Sequence, residues 1–446
     1  MNPGQKLRLL MEGSVLSGVL LVMLLIGCQR PASRYVVENG KTRLVYWTAP
    51  NPDELALARE LVAEWTVANP DVEVIVQPIP AGQSSEEVLL AAVAAGTTPD
   101  LCSNIWPGIV EDFVEAGALV PLDQFPDFDS LLVARIPETV RESFRSRDGH
   151  FYQLPWKTNP VMMFYNVQLL REAGLDRPPR TYSEYLEAAR RLVADIDGDG
   201  LIDRWMGYRD IRPIWWQRYF DYYAFYIAAS GGRTLFDRQG QLALDTAASN
   251  RVFAFFARLY AMGAFPKAVW TSGGSRFIQG QLATDFTGPW HLIWLEKNAP
   301  SALTYDVAPL PVPDDHEGPV YTYGDYKNIV IFSTTQHPEA AWRLARFLVS
   351  RRADRRLLER TRQIPVRRGL LDDPYFAPVF ERYPILRHFA AQAAYTRSVD
   401  SVPDLKEILD AFAQEFEAAA VYGVRAPTEA TRRALRRIRM ILDWNA

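Results

Sequence analysis

The chain predicts an α/β fold in which helices cover a parallel sheet. Three observations carry this. Short apolar runs alternate with helical patterns from residue 44 onward. The order strand, helix, strand, helix, strand over 44–102 suits crossover connections rather than hairpins. Composition is that of a globular chain with a sizeable core: 446 residues, 48% hydrophobic and 23% charged. That length allows more than one domain, and the balance excludes global disorder.

The elements follow in order. Leu44-Val45-Tyr46-Trp47 reads as the first strand. Asn51-Pro52-Asp53-Glu54 then opens a helix: Asn51 caps it, Pro52 fits the first helical position and Glu54 can reach back to the cap. Leu55, Ala58, Leu61, Val62 and Trp65 recur on one face, and Asn69-Pro70 ends it. Val72-Glu73-Val74-Ile75-Val76 is the second strand, a helix over 85–95 ends at Gly96, and Pro99-Asp100-Leu101-Cys102 starts the third strand. Ligands on parallel sheets gather outside the carboxyl ends of the strands. Trp47 and the stretch Ser103-Asn104-Ile105-Trp106 sit at two of those ends, with site and core both open to each.

Further on, Met162-Met163-Phe164-Tyr165 is a strand, followed by a helix that Gly174 ends. Thr181-Tyr182-Ser183-Glu184 is a capping box for the next helix. Residues 212–226 are dense in aromatics, among them Trp215, Trp216, Tyr219, Tyr222 and Tyr223. Gly324-Asp325 reads as a turn, 329–332 as a strand, and His337-Pro338 opens a helix to about 349. From Asp404 the pattern is helical.

Charge excludes some functions. Net charge is -4, which gives no electrostatic case for nucleic acid. The one basic run, Arg432, Arg433, Arg436, Arg437 and Arg439, interleaves with Leu435, Ile438, Ile441 and Leu442 at helical spacing and reads as a solvated helix face. The histidines are scattered, and no H-E-x-x-H, G-x-S-x-G or phosphate loop occurs. Paired glycosidase carboxylates leave no such linear signature.

Two local motifs stand apart. The N-terminus carries Lys6 and Arg8, then an apolar run over 15–26 too short to span a bilayer as a helix. It ends Leu25-Ile26-Gly27-Cys28, which resembles the bacterial lipobox, in which a small residue precedes the cysteine that becomes lipidated. The expectation is a signal peptide over 1–27, a lipid on Cys28 and a tether over 28–40, leaving Cys102 without a disulfide partner. The second motif is Asp195-Ile196-Asp197-Gly198-Asp199-Gly200-Leu201-Ile202-Asp203. Alternating acids converge oxygens on a hard cation, and Gly200 permits the turn. Asp195, Asp197, Asp199 and Asp203 are the candidate ligands. The final bidentate Glu of an EF-hand is missing, since Met206 holds that place. A structural Ca2+ and a bare acidic turn both remain open; no other cofactor is expected.

The ordered set of segments resembles the extracellular solute-binding proteins of ABC importers, in particular the large sugar-binding family that includes maltose-binding protein. The likeness rests on Ala95-Gly96-Thr97-Thr98-Pro99-Asp100, on 115–122, on Tyr152-Gln153-Leu154-Pro155-Trp156, on Phe164-Tyr165-Asn166 and Ala173-Gly174-Leu175, and on Gly288-Pro289-Trp290. It covers nearly the whole chain after residue 40. It implies a two-lobed periplasmic-binding-protein type II fold with an interlobe ligand cleft. The first lobe would hold 41–154 and 302–350, the second 155–301 and 351–446. It implies a monomer that is no enzyme, that captures a sugar and that hands it to the permease subunits of an importer at the membrane. Polyol or glycerol-phosphate ligands come second; a glycan-cleaving lipoprotein and a sensor or adhesin are the rivals.

A sugar ring offers an apolar face and a rim of hydroxyls, so its site calls for aromatic plates with polar edges. Trp290 matches the family's Gly-Pro-Trp, whose indole stacks on sugar in relatives. Trp47, Trp106 and Asn104 come from the strand ends. Trp156 and Asn159 lie at the expected first crossing. Trp215 and Trp216 cannot both face one way, and Trp216 is the expected plate. Tyr323 and Asp325 belong to a segment resembling the family's glycine-rich cleft strand, with fewer glycines here. Ile364-Pro365-Val366-Arg367 is similar to a family turn, which makes Arg367 a candidate.

Overall fold

The computed structural model describes residues 40–444, apart from 83, 238, 271, 272 and 401. The expected signal peptide and Cys28 lie outside these residues. The strands, in chain order, are β1 Thr42–Thr48, β2 Val72–Pro78, β3 Leu101–Ile105, β4 Leu154–Thr158, β5 Met162–Asn166, β6 Thr284–Thr287, β7 Tyr305–Ala308, β8 Thr322–Tyr323, β9 Lys327–Ile331, β10 Ile364–Pro365 and β11 Thr396–Arg397. Helices that frame them include α1 Pro52–Ala68, α2 Tyr182–Leu192, α3 Thr246–Ala261, α4 His291–Asn298, α5 Pro338–Leu348, α6 Arg351–Thr361 and α7 Leu405–Phe416.

The larger sheet has the order β10-β4-β9-β3-β1-β2. β1 pairs parallel with β2 and β3, as the alternation of strands and helices predicts. β9 runs antiparallel to both β3 and β4, so the sheet is mixed. The physical reason is its route: β9 enters from the second lobe by a crossing strand, without a covering helix to reverse it. Asn51 caps α1 by accepting from the Asp53 and Glu54 amides. Glu54 does not reach back to the cap; its carboxylate turns inward to Lys157.

The smaller sheet, β6-β5-β7, is antiparallel throughout. Here the expected lobe boundaries shift. β7 aligns Asp306 with Tyr165 of β5, so the residues just past 302 belong to the second lobe. α6 is bound to α1 by Arg352–Glu64, Arg356–Glu60 and Arg360–Glu60 ion pairs, so the first lobe runs on past 350. Alternation within a short strand is the same whichever sheet it joins, so sequence could not set these limits.

The chain crosses between lobes at 159–161 and 324–326, where the Asp325 amide donates to the Asn159 carbonyl at 3.1 Å. Gly324 is required by close approach: a Cβ there would fall 2.5 Å from Thr158 Oγ1 and 2.7 Å from Thr396 Cβ. One apolar core, with Tyr46, Leu61, Trp65, Trp156 and Trp342, lies inside the first lobe. Another runs from Cys102, Ile105 and Trp106 through Tyr323 into the aromatic helices of the second lobe. The lobes thus touch through apolar side chains. Cys102, the one cysteine among the described residues, is fully buried, and burial pushes its thiol up to about 12.

Candidate interlobe binding site

A groove of about 240 Å3 lies between the lobes. Asn51, Pro52 and Asp53, which follow the carboxyl end of β1, form one wall. Trp290, Ile293, Trp294 and Lys297 form the other. Their spacing of i, i+3, i+4 and i+7 puts all four on one face of α4. Thr361 and Gln363 close the hinge side.

Two tryptophans are seated on glycines of their own loops. A Cβ on Gly288 would sit 2.0 Å from the Trp290 ring, and one on Gly108 would sit 2.2 Å from the Trp106 ring. Glycine at these positions lets each indole fold back on its own backbone, which fixes the ring with little rotamer freedom left. Trp106 lies 5.5 Å from Trp215 and 5.2 Å from Tyr219 of the second lobe, centroid to centroid. Tyr219 stacks on Tyr323 at 5.1 Å. Phe220 meets Trp290 edge-on at 5.8 Å and Tyr323 at the same distance, which joins the groove to this cluster.

Buried polar groups join the groove to this cluster through Gln363. Trp106 Nε1 donates to the Tyr323 hydroxyl at 3.2 Å, which donates to Asp325 Oδ1 at 3.0 Å. Burial holds the Tyr219 and Tyr323 phenols well above their ordinary pKa, so both remain neutral. Tyr219 Oη and Asn159 Oδ1 are buried without a hydrogen-bond partner among the described residues. Lys157 Nζ bonds Glu54 Oε2 at 2.6 Å, Gln363 Nε2 bonds Glu54 Oε1 at 2.7 Å, and Asn159 Nδ2 bonds Gln363 Oε1 at 2.9 Å. Burial pulls the Lys157 pKa down, and the adjacent Glu54 acts against it. Burial also opposes the charge on Lys327, but the Asp325 and Glu86 carboxylates outweigh it and its pKa ends above the ordinary value.

Of the candidates read from the sequence, Trp290, Trp106, Tyr323, Asp325 and Asn159 are linked by one run of contacts between the lobes. Trp47 is half-buried against the same core and donates to Gln77 Oε1 at 3.2 Å. Asn104 is buried in β3, two residues before Trp106. Three candidates are elsewhere. Trp156 is packed inside the first-lobe core, because its place in β4 turns it to that face. Trp216 is 39% exposed, while its neighbour Trp215 takes the cleft position against Trp106. Arg367 binds Asp354 at 2.5 Å and the Val349 carbonyl, a wholly structural role. In the acidic loop, carboxylate oxygens of Asp195, Asp197 and Asp203 lie within 4.8 Å of one another. Asp199 is not among that set and accepts the Leu201 amide instead.

Sequence reasoning missed Asp53, Gln363, Trp294 and Lys297. For Asn51 the capping role was sufficient explanation and hid the second one. Trp294 and Lys297 could have been found, since they share the helical face that Trp290 opens.

The model of the bacterial extracellular solute-binding protein family matches residues 49–354. The maltotriose-binding protein of Pyrococcus abyssi is 29% identical over 346 residues, which span 76% of this chain and 69% of that one. The arabinooligosaccharide-binding protein of Halalkalibacterium halodurans is 24% identical over 76% of this chain and 74% of its own length. An uncharacterised Listeria monocytogenes structure superposes with a TM-score of 0.78 at 27% identity, over 90% of this chain and all of that one. The maltose/maltodextrin-binding domain of Bdellovibrio bacteriovorus, solved with maltotriose, has the same fold, with a TM-score of 0.71 at 18% identity, over 90% of this chain and 100% of that one.

Proposed function

We propose, since the chain belongs to the bacterial extracellular solute-binding proteins, that it captures a short oligosaccharide between its lobes and delivers it to an ABC importer. The observation that carries this reading is the pair of glycine-seated indoles, Trp106 from the first lobe and Trp290 from the second, linked through Phe220 and Tyr323. Rigid aromatic faces cover the apolar side of a sugar at small entropic cost, and the amides and carboxylates beside them bind hydroxyls. The names of the relatives point to the same ligand class.

Sugar binding fits the paired carboxylates. Asp53 is paired with Lys297, Glu54 with Lys157, and Asp325 with Lys327. A carboxylate already engaged by a cation is placed to accept from sugar hydroxyls. Export agrees with the family's extracellular setting. Anchoring through a lipid on Cys28 would keep the protein beside the permease subunits it serves, and the segment after Cys28 is a tether for that purpose. The acidic loop is a structural Ca2+ site in this reading, held by Asp195, Asp197 and Asp203. Added Ca2+ should raise the melting temperature and a chelator should reverse it; an unchanged melting curve removes the metal.

The direct test is calorimetry of the chain from residue 29 against maltotriose, an arabinotriose and glycerophosphocholine. Heat and thermal stabilisation with one of the two sugars, with the sugar recovered intact, is the expected result. A cleaved sugar, or binding only to the glycerophosphodiester, overturns it.

A further inference from the structure

We infer that lobe closure is biased by an electrostatic clasp on one helix, and so responds to ionic strength before any ligand arrives. Two adjacent residues of α4, in the second lobe, each grip the first lobe. Lys297 Nζ lies 2.9 and 2.8 Å from the two carboxylate oxygens of Asp53, in the first turn of α1. Glu296 takes a forked pair from Arg362, with Nε and Nη2 each at 2.8 Å. Arg362 directly follows α6, which is itself ion-paired to α1.

Arg362 has the mark of a residue kept for its side chain. It is the C-cap of α6 at φ 60°, in the left-handed region where glycine is the ordinary choice. Its guanidinium also donates to the Glu359 carbonyl and lies 3.5 Å from the centroid of the Tyr383 ring. Fixed on these supports, the fork is preorganised toward Glu296, which makes it the stronger arm of the clasp. The Lys297 arm is open to solvent on both partners and is the one that salt screens.

The polarity of the arms alternates. α4 presents an anion and then a cation, and the first lobe answers with a cation and an anion. A docking that brought Glu296 toward Asp53 would oppose like charges, so the clasp selects one closed register as well as favouring closure. A ligand then has to supply only the remainder of the closing free energy.

The test is the distance between spin labels at Val67 and Val424, exposed positions on opposite lobes, in ligand-free protein at low salt and about 0.5 M NaCl. Arg362→Gly suits the backbone but removes the fork together with the Glu359 and Tyr383 contacts; it and Glu296→Gln, which spares those contacts, should each lower the closed-to-open ratio about tenfold. Lys297→Met should lower it about threefold and flatten the response to salt. The swapped pair Asp53→Lys with Lys297→Asp should bring the short distance back. Identical distributions in wild type and variants at both salts overturn the clasp, as does a swap that fails to restore closure. No sugar enters the measurement, so either failure would leave the oligosaccharide reading standing.

Discussion

The first-lobe core and the cleft use the same side chains for different ends. Trp342 stacks on Phe125 at 4.9 Å with the rings nearly parallel, and its Nε1 donates to Asp127 at 2.8 Å. Trp106 has the same kind of surroundings, aromatic neighbours and an indole N–H bonded to oxygen. The difference is ownership. Trp342 meets Phe125, Phe128 and Asp127 of its own lobe, whereas Trp106 draws its ring and hydrogen-bond partners from the second lobe and the crossing. Buried charge divides in the same way. Asp354 holds Arg135 and Arg367 inside the first lobe, while Glu54 ties Lys157 to Gln363 beside the hinge. Burial alone therefore does not separate structure from function here; the test is whether an interaction survives parting of the lobes.

Three substitutions probe that division, the first with the greatest effect. Trp342→Ala removes a fully packed indole and should cost about 3–5 kcal/mol in urea unfolding. The fraction that remains folded should bind sugar as wild type does, because no Trp342 contact reaches the cleft. Trp290→Ala should behave in the opposite way: an affinity loss of about 10–100-fold by calorimetry, with unfolding changed by only about 1 kcal/mol. Gly288→Ala removes no atom that faces the groove, yet its Cβ would displace the Trp290 ring and weaken binding about tenfold. Loss of affinity in Trp342→Ala without loss of stability would break the distinction between the two regions.

Much of this was legible in the sequence, and the limits have physical causes. β1, α1, β2 and β3 were readable because caps, proline positions and apolar period agree over 44–105. Gly288-Pro289-Trp290 was readable through its resemblance to the family's Gly-Pro-Trp, and the structure adds the reason: the indole lies over the Gly288 backbone. The antiparallel entry of β9 was not, since strand direction depends on a partner some 220 residues away and leaves no local mark. Trp215 and Trp216 were ambiguous for a related reason: they lie in a short 3-10 turn, where adjacent side chains diverge and no long period says which faces inward. Arg367 misled because a family-like turn and an ion pair to Asp354 place an arginine equally well.

The smallest expected effect concerns pH, at a second place where charges of the two lobes meet. Asp112 sits in the short helix Val110–Glu115 of the first lobe, and its carboxyl is pushed up to about 6. Partial burial is the main cause, followed by Asp404, Glu115, Glu407 and Glu111. Asp404 and Glu407 stand at the start of α7 in the second lobe, so like charges face each other between lobes. A carboxyl with a raised folded pKa contributes fully below its unfolded value, near 4, and loses that contribution as pH rises through about 6. Stability should therefore fall between those limits. Asp112→Asn should flatten that slope and gain about 1 kcal/mol at neutral pH, a figure kept small because the side chain is only half-buried. Urea unfolding across the pH range measures it. A slope that persists unchanged in the variant would mean that Asp112 is not its source and that another raised carboxyl, such as the buried Asp400, carries it.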